Sequence, residues 1–157
     1  MSAEKGRVMI TDKSYISENA IEREHLEVLV NRLSDEDLGH PLEAGWTVSA
    51  VLAHLAFWDQ RALILIEKWK KDGIGPSPID TDVVNEATRG LCLAIPPRTA
   101  AEIALSSASA IDQAIEQLNP EMAAEIEATG KTVHLNRADH RRAHLGQIQG
   151  ALGMDVD

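Results

Sequence analysis

Thr47-Val48-Ser49-Ala50-Val51-Leu52-Ala53-His54-Leu55-Ala56-Phe57-Trp58 is the stretch on which the fold turns. Thr47 fits a helix N-cap, because its hydroxyl can accept from the first free backbone N–H groups. The helix it opens is expected to run to about Lys71, with Leu63, Leu65, Ile66 and Trp69 continuing the apolar content. Apolar residues fall almost all round it rather than on one stripe. Such a helix is buried on more than one side, as the central member of a bundle would be.

The flanking segments read as helices of the more usual kind. Tyr15 to Leu33 carries Leu26, Leu29, Val30 and Leu33 on one 3.6-period stripe, with Glu18, Glu22, Arg23 and Glu27 mostly elsewhere. Gly39, Pro41 and Gly45 punctuate the loop that follows, and Gly73, Gly75, Pro76 and Pro78 punctuate a second one. Thr81–Leu93 reads as a short additional helix, stopped by Pro96 and Pro97. Thr99 and Glu102 fit a capping box for a third long helix, which reaches Leu118 before Asn119 and Pro120 end it. A fourth is expected from near Thr132, after Gly130, to about Leu152. No strand-length alternation, repeat or low-complexity tract interrupts the pattern. An all-α four-helix bundle with a short extra helix between its second and third members follows, as a single domain over 1–157 with its core at about 15–152.

Composition agrees and excludes several functions. Hydrophobic residues make up 44% of the 157 and aromatics only 3%, which suits helix-on-helix packing. The formal charge of −10 disfavours nucleic acid and anionic membranes, both of which call for clustered Lys and Arg. Apolar runs are broken by charge, so no transmembrane span is expected, and Met1 to Ile10 lacks a signal-peptide core. A cytoplasmic protein is the default. Cys92, the single cysteine, excludes an internal disulfide and a cysteine-based zinc cluster.

The chemistry centres on His140-Arg141-Arg142-Ala143-His144. Four residues along a helix turn about 40°, so both imidazoles share one face and can bind a common ion. His54, in the apolar second helix, is the best third ligand. Taken alone, each of these histidines has a bland alternative: a hydrogen-bonded core residue for His54, a solvated face for the pair. Three neutral imidazoles on facing helices instead fill three positions of a metal and leave others open. His25 closes a Glu22-x-x-His25 pattern, but the remaining di-iron ligands are missing and an ion pair is the simpler reading. His40 lies in a Gly/Pro loop. His134, about 240° around the predicted helix from His140, is expected to point away. No His-Glu-x-x-His, Gly-x-Ser-x-Gly, P-loop or dinucleotide fingerprint is present.

Gly45-Trp46-Thr47-Val48 with Leu52-Ala53-His54-Leu55, and His140-x-x-x-His144-x-Gly146-Gln147-Ile148, resemble the second- and fourth-helix signatures of the DinB-like superfamily. That group includes YfiT-type metal-dependent hydrolases and bacillithiol or mycothiol S-transferases, and mycothiol-dependent maleylpyruvate isomerases share its domain. The resemblance covers about residues 15 to 152. It implies a four-helix bundle, commonly homodimeric, with metal ligands at His54, His140 and His144. Many relatives have Arg directly after the last histidine, where this chain has Leu145.

The leading expectation is therefore a divalent-metal enzyme, a thiol-dependent transferase or isomerase or a hydrolase, holding Zn²⁺ or Ni²⁺ and acting on a small molecule. A low-molecular-weight thiol is the candidate cosubstrate, since Cys92 has no evident activating partner. The acidic net charge argues against an anionic thiol, and local basic residues such as Arg61, Arg137 or Arg141 could offset it. Trp58 and Arg61 follow His54 by one and two turns, and Gln147 follows His144 by one; these are the candidate pocket residues. For Trp58 a core role, and for Arg61 a salt bridge to a neighbouring helix, stand as alternatives. The rival is a non-enzymatic metal-binding or stress-associated dimeric module; a third reading keeps the histidines only as a hydrogen-bonded core cluster.

Overall fold

The computed structural model describes residues 13–129 and 133–154. These form α1 (Ser14–Arg32), α2 (Asp35–Leu38), a 3-10 turn (Glu43–Gly45), α3 (Val48–Asp72), α4 (Thr81–Ala94), α5 (Pro97–Glu116), α6 (Pro120–Thr129) and α7 (Ala138–Leu152). There is no strand among the described residues, so the protein is all-helical. The chief packing is α3 on α5, with α1 against α7 and α5, and α4 and α7 against α3. Gly130 and Thr132, expected ahead of the last helix, lie outside the described residues.

Capping explains most of the boundaries. Thr47 Oγ1 accepts from the Ala50 N–H at 3.2 Å and starts α3. Asp80 Oδ1 accepts from the Val83 N–H at 3.2 Å and starts α4. The expected capping box at Thr99 and Glu102 does not form: α5 begins three residues earlier, with Pro96 at the N-cap, Pro97 in its first turn and no side-chain cap. Proline suits that place, because its fixed φ is helical and its missing N–H has no partner to lose. The same chemistry starts α6, at a place where the sequence pattern predicts only a stop. Pro120 sits at its first position and Asn119 Oδ1 accepts from the Met122 N–H at 2.8 Å.

The last helix begins at Ala138, not near Thr132. Its cap comes from another element: Asn19 of α1 accepts through Oδ1 from the N–H groups of Arg137 (2.7 Å) and Ala138 (2.9 Å). The Asn19 amide also donates to Leu135 O at 2.9 Å. A buried side chain more than a hundred residues away in the chain thus fixes where α7 starts, which no local signal could announce.

Two apolar clusters form the core. One gathers Leu26, Leu29, Leu52, Leu55, Ala108, Leu145 and Ile148; the other gathers Tyr15, Ile66, Trp69, Ile111, Ile115, Ile126 and Leu135. Full burial of one such Leu or Ile contributes roughly 1.5–3 kcal/mol. At the level where the clusters meet, α1, α3, α5 and α7 supply Asn19, Asp59, Asp112 and Arg141, each buried. A polar layer therefore crosses the middle of the protein. By length and composition α3 is long and apolar enough to cross a membrane, contrary to the sequence reading, yet 67% of its most apolar window is buried within the fold. It is a core helix.

Candidate metal centre

His54 projects from α3 and is 7% exposed, while His140 and His144 project from α7 and are half-buried. The Nε2 atoms converge: His54 to His140 is 3.1 Å and His144 to His140 is 3.2 Å. All three ligand atoms lie within 4.8 Å of one another. Two nitrogens held about 2.0–2.1 Å from one tetrahedral ion are about 3.3 Å apart, so these separations fit a shared cation.

Hydrogen bonding supports the fit. His140 Nε2 carries either one proton or one lone pair, so it can pair fully with only one of the two Nε2 atoms it faces. A purely hydrogen-bonded cluster leaves one contact unsatisfied; a central cation takes all three lone pairs. His144 Nδ1 lies 2.9 Å from Gln147 Oε1, an acceptor, which places the proton on Nδ1 and leaves Nε2 free to ligate. His54 Nδ1 is buried without a hydrogen-bond partner.

Electrostatics keep the imidazoles neutral. Burial, and then His144, hold His54 down at about 4. Burial, the other two histidines, Arg137 and Arg141 hold His140 at about 3. His144 is lowered too, by burial against the opposing effect of Gln147. Neutral imidazole is the ligating form.

Beside the cluster opens a cavity of about 670 Å³. Trp46, Trp58 and Val51 wall it, and Asn85, Thr81, Arg61, Arg137 and Gln147 bring polar groups to it. Trp46 arrives there through a tight turn, in which Leu42 N–H donates to Trp46 O at 2.7 Å and Gly45 adopts φ 83°, a conformation that favours glycine. Its ring meets His54 edge-on at 5.4 Å. Trp58 donates through Nε1 to Asn85 Oδ1 at 2.9 Å, tying α3 to α4. Arg61 donates to the backbone and hydroxyl oxygens of Ser77 at 3.1 and 3.2 Å, and its guanidinium lies 5.9 Å from the Trp58 ring centre.

A model of the DinB superfamily matches residues 20–148. The chain belongs to that superfamily. No curated protein and no solved structure matches it. In this DinB-superfamily member the described residues bring His54, His140 and His144 together, and they leave His25 and His40 elsewhere. His25 Nδ1 pairs with Glu22 Oε1 at 2.8 Å. His134 is a correction: it lines the same cavity. His134 precedes α7, so it shares no helical phase with His140.

Sequence reasoning also missed the buried charges beneath the three histidines. Arg141 donates to Asp112 through both terminal nitrogens (2.9 and 2.8 Å), to Asn19 O at 3.0 Å and to Asp59 at 3.4 Å. Arg137 Nε donates to Asp59 at 3.0 Å and Arg23 to Asp112 at 2.6 Å. Burial alone lowers the Arg141 pKa, but Asp112 and Asp59 outweigh it and the net shift is upward. Arg141 is thus committed to the interior and cannot meet an anionic thiol; Arg61 and Arg137 line the cavity. A faint signal existed in Asp59 and Asp112, single acids amid apolar helix sequence. Cys92 packs with Ala50, Ala53 and Ala100, and burial pushes its thiol up, away from reactivity.

Proposed function

We propose that the protein is a divalent-metal enzyme of the DinB superfamily, built as a four-helix bundle of α1, α3, α5 and α7, that acts on a small molecule in the cavity beside His54, His140 and His144. The observation that carries this reading is the convergence of three neutral Nε2 atoms at the edge of a cavity, where substrate has access. Zn²⁺ or Ni²⁺ suits three imidazoles. Such an ion supplies Lewis acidity, the means by which a water or a thiol gives up its proton at neutral pH.

The chain's own residues do the rest. Gln147 holds His144 in the ligating tautomer, and the Arg141 network beneath His140 holds the start of α7 against α1 and α5. Trp46 and Trp58 exclude water from one wall. With Cys92 buried, a sulfur nucleophile must come from outside, and a low-molecular-weight thiol is the cosubstrate this reading favours, in a transferase or isomerase reaction; hydrolysis is the alternative outcome. A cytoplasmic homodimer with no nucleic-acid or membrane partner completes the proposal.

Elemental analysis after purification without chelators tests the metal, and a rate with bacillithiol, mycothiol or glutathione and simple electrophiles tests the chemistry. About one divalent ion per chain is expected. Less than about 0.1 equivalent, with none regained from added Zn²⁺ or Ni²⁺, rejects the site. A full metal complement with no thiol transfer and no ester or amide hydrolysis favours the metal-binding module instead.

A further inference from the structure

Among the described residues Arg61, Arg137 and Asp139 line the large cavity, and each is already engaged within the protein. Arg61 donates to Ser77 O and Oγ, lies 5.9 Å from the Trp58 ring centre and makes a further interaction besides. Arg137 is paired with Asp59 at 3.0 Å, and Asp139 with Arg142 at 2.9 Å. Beneath the histidines, Arg137 and Arg141 are matched by Asp59 and Asp112. Arg23, the other partner of Asp112, does not line this cavity. His134, also on the wall, is exposed to water, which weakens any charge it offers. A charged ligand entering here would lose hydration without meeting an unpaired counter-charge, and that is costly.

The rest of the wall is apolar or neutral. Trp46 and Trp58 are half-buried and meet the His54 ring edge-on, with centroids at 5.4 and 6.5 Å. Ile79, 39% exposed, lines the same cavity from the loop before α4. Covering such apolar surface favours an apolar occupant, and indoles pack best on flat rings set offset or edge-on. Asn85 and Gln147 commit their amide oxygens to Trp58 and His144, which leaves their nitrogens able to donate to a neutral acceptor. Along α3 the wall runs from His54 to Arg61, seven residues and about 10 Å. The cavity, at about 670 Å³, is of the size that holds a small organic molecule.

We propose that the cavity takes an uncharged small molecule with one or two aromatic rings, packed against Trp46, Trp58 and Ile79, with a neutral polar group turned to the three histidines. This deepens the metal-enzyme reading by naming its substrate class, and rests on that reading only for the chemistry at the polar end. The apolar contact itself needs no ion, so the two fail separately.

The test is calorimetric titration of the full chain, metal-free and then zinc-loaded, with 2-naphthamide, the anion 2-naphthoate and the cation 2-naphthylmethylammonium. The three share one ring system and differ in charge. Saturable binding of the amide without metal is expected, with both ions weaker by about tenfold or more. Trp58→Ala should weaken amide binding by a similar factor. Ile79→Asp, a charge placed on the cavity wall at an exposed loop position, should do the same, and decides the matter if Trp58→Ala fails to fold. Leu91→Asp, an exposed apolar position of α4 away from the cavity lining, should leave the affinity within about twofold. No saturable amide binding overturns the proposal, as does either ion binding as tightly as the amide. So does binding that requires zinc, that Ile79→Asp leaves unchanged or that Leu91→Asp abolishes. Amide binding retained in a protein that takes up no metal would leave this site standing and remove the metal reading alone.

Discussion

At the scale of single residues, His54, His140 and His144 differ from the other described histidines in what their ring nitrogens face. His25 has a carboxylate partner and is exposed. The three clustered rings face one another, and His144 is held by Gln147. His140→Ala or His144→Ala should therefore lower zinc affinity by two orders of magnitude or so, and Gln147→Leu by about tenfold, whereas His25→Ala and His40→Ala should change it little. Competition titration against a zinc-sensitive dye reads all five. Comparable loss in either of the last two would show that the ligands have been misassigned.

Acid should act through the same rings. His54 at about 4 and His140 at about 3 stand below the ordinary 6.5 of an unfolded histidine. On acidification the unfolded chain takes up protons first, so the metal-free fold loses stability as pH falls from about 6.5 towards those values. The slope approaches about 1.4 kcal/mol per pH unit for each such histidine. Urea midpoints at pH 7 and pH 5 should show the drop, and His140→Asn should show less of it. An equal drop in that variant would trace the effect to other groups.

At the scale of elements, α7 depends on α1 for its first turn. Asn19 is 2% exposed and satisfies two N–H groups at the start of α7 as well as Leu135 O. Replacing it with Leu leaves those groups buried without partners, at a cost of about 1–3 kcal/mol each before any relaxation. Asn19→Leu should lower thermal stability clearly. Because α7 carries two of the three clustered histidines, it should weaken zinc binding in parallel, although Asn19 touches no ligand. Equilibrium unfolding and a zinc titration on the same variant check both, and unchanged zinc affinity in a destabilised protein would separate the cap from the site.

At the scale of the whole molecule, the apolar circumference of α3 does not supply a dimer face. The apolar circumference of α3 is covered by its own chain, through α4, α5 and α7, and only Ile64 on it is a markedly exposed large hydrophobe. Among the described residues the other exposed large apolar side chains are Ile21 and Val28 of α1, Ile79 just before α4, and Val83, Leu91 and Leu93 of α4. Those faces of α1 and α4 are the apolar surfaces a homodimer is expected to cover. Sedimentation at micromolar concentration should give twice the 17.1 kDa chain mass, and Val28→Asp with Leu91→Asp should return it to the monomer. A wild-type protein that sediments as a single chain would end the dimer reading.

The sequence by itself determined the helices whose signals are local. The Thr47 cap, the apolar content all round the helix after it, and the prolines between segments placed α1, α3, α4 and α5 to within a few residues. It also put His140 and His144 on one face, since a four-residue step fixes relative direction whatever the helix packs against. Tertiary structure decided what depends on distant partners. The start of α7 waits on Asn19, the nearness of His54 to α7 waits on how the helices pack, and the tolerance of Arg141, Asp59 and Asp112 in the interior waits on their meeting one another. A buried charge is costly alone and acceptable when paired, and that pairing is a property of the assembled fold that no window of sequence contains.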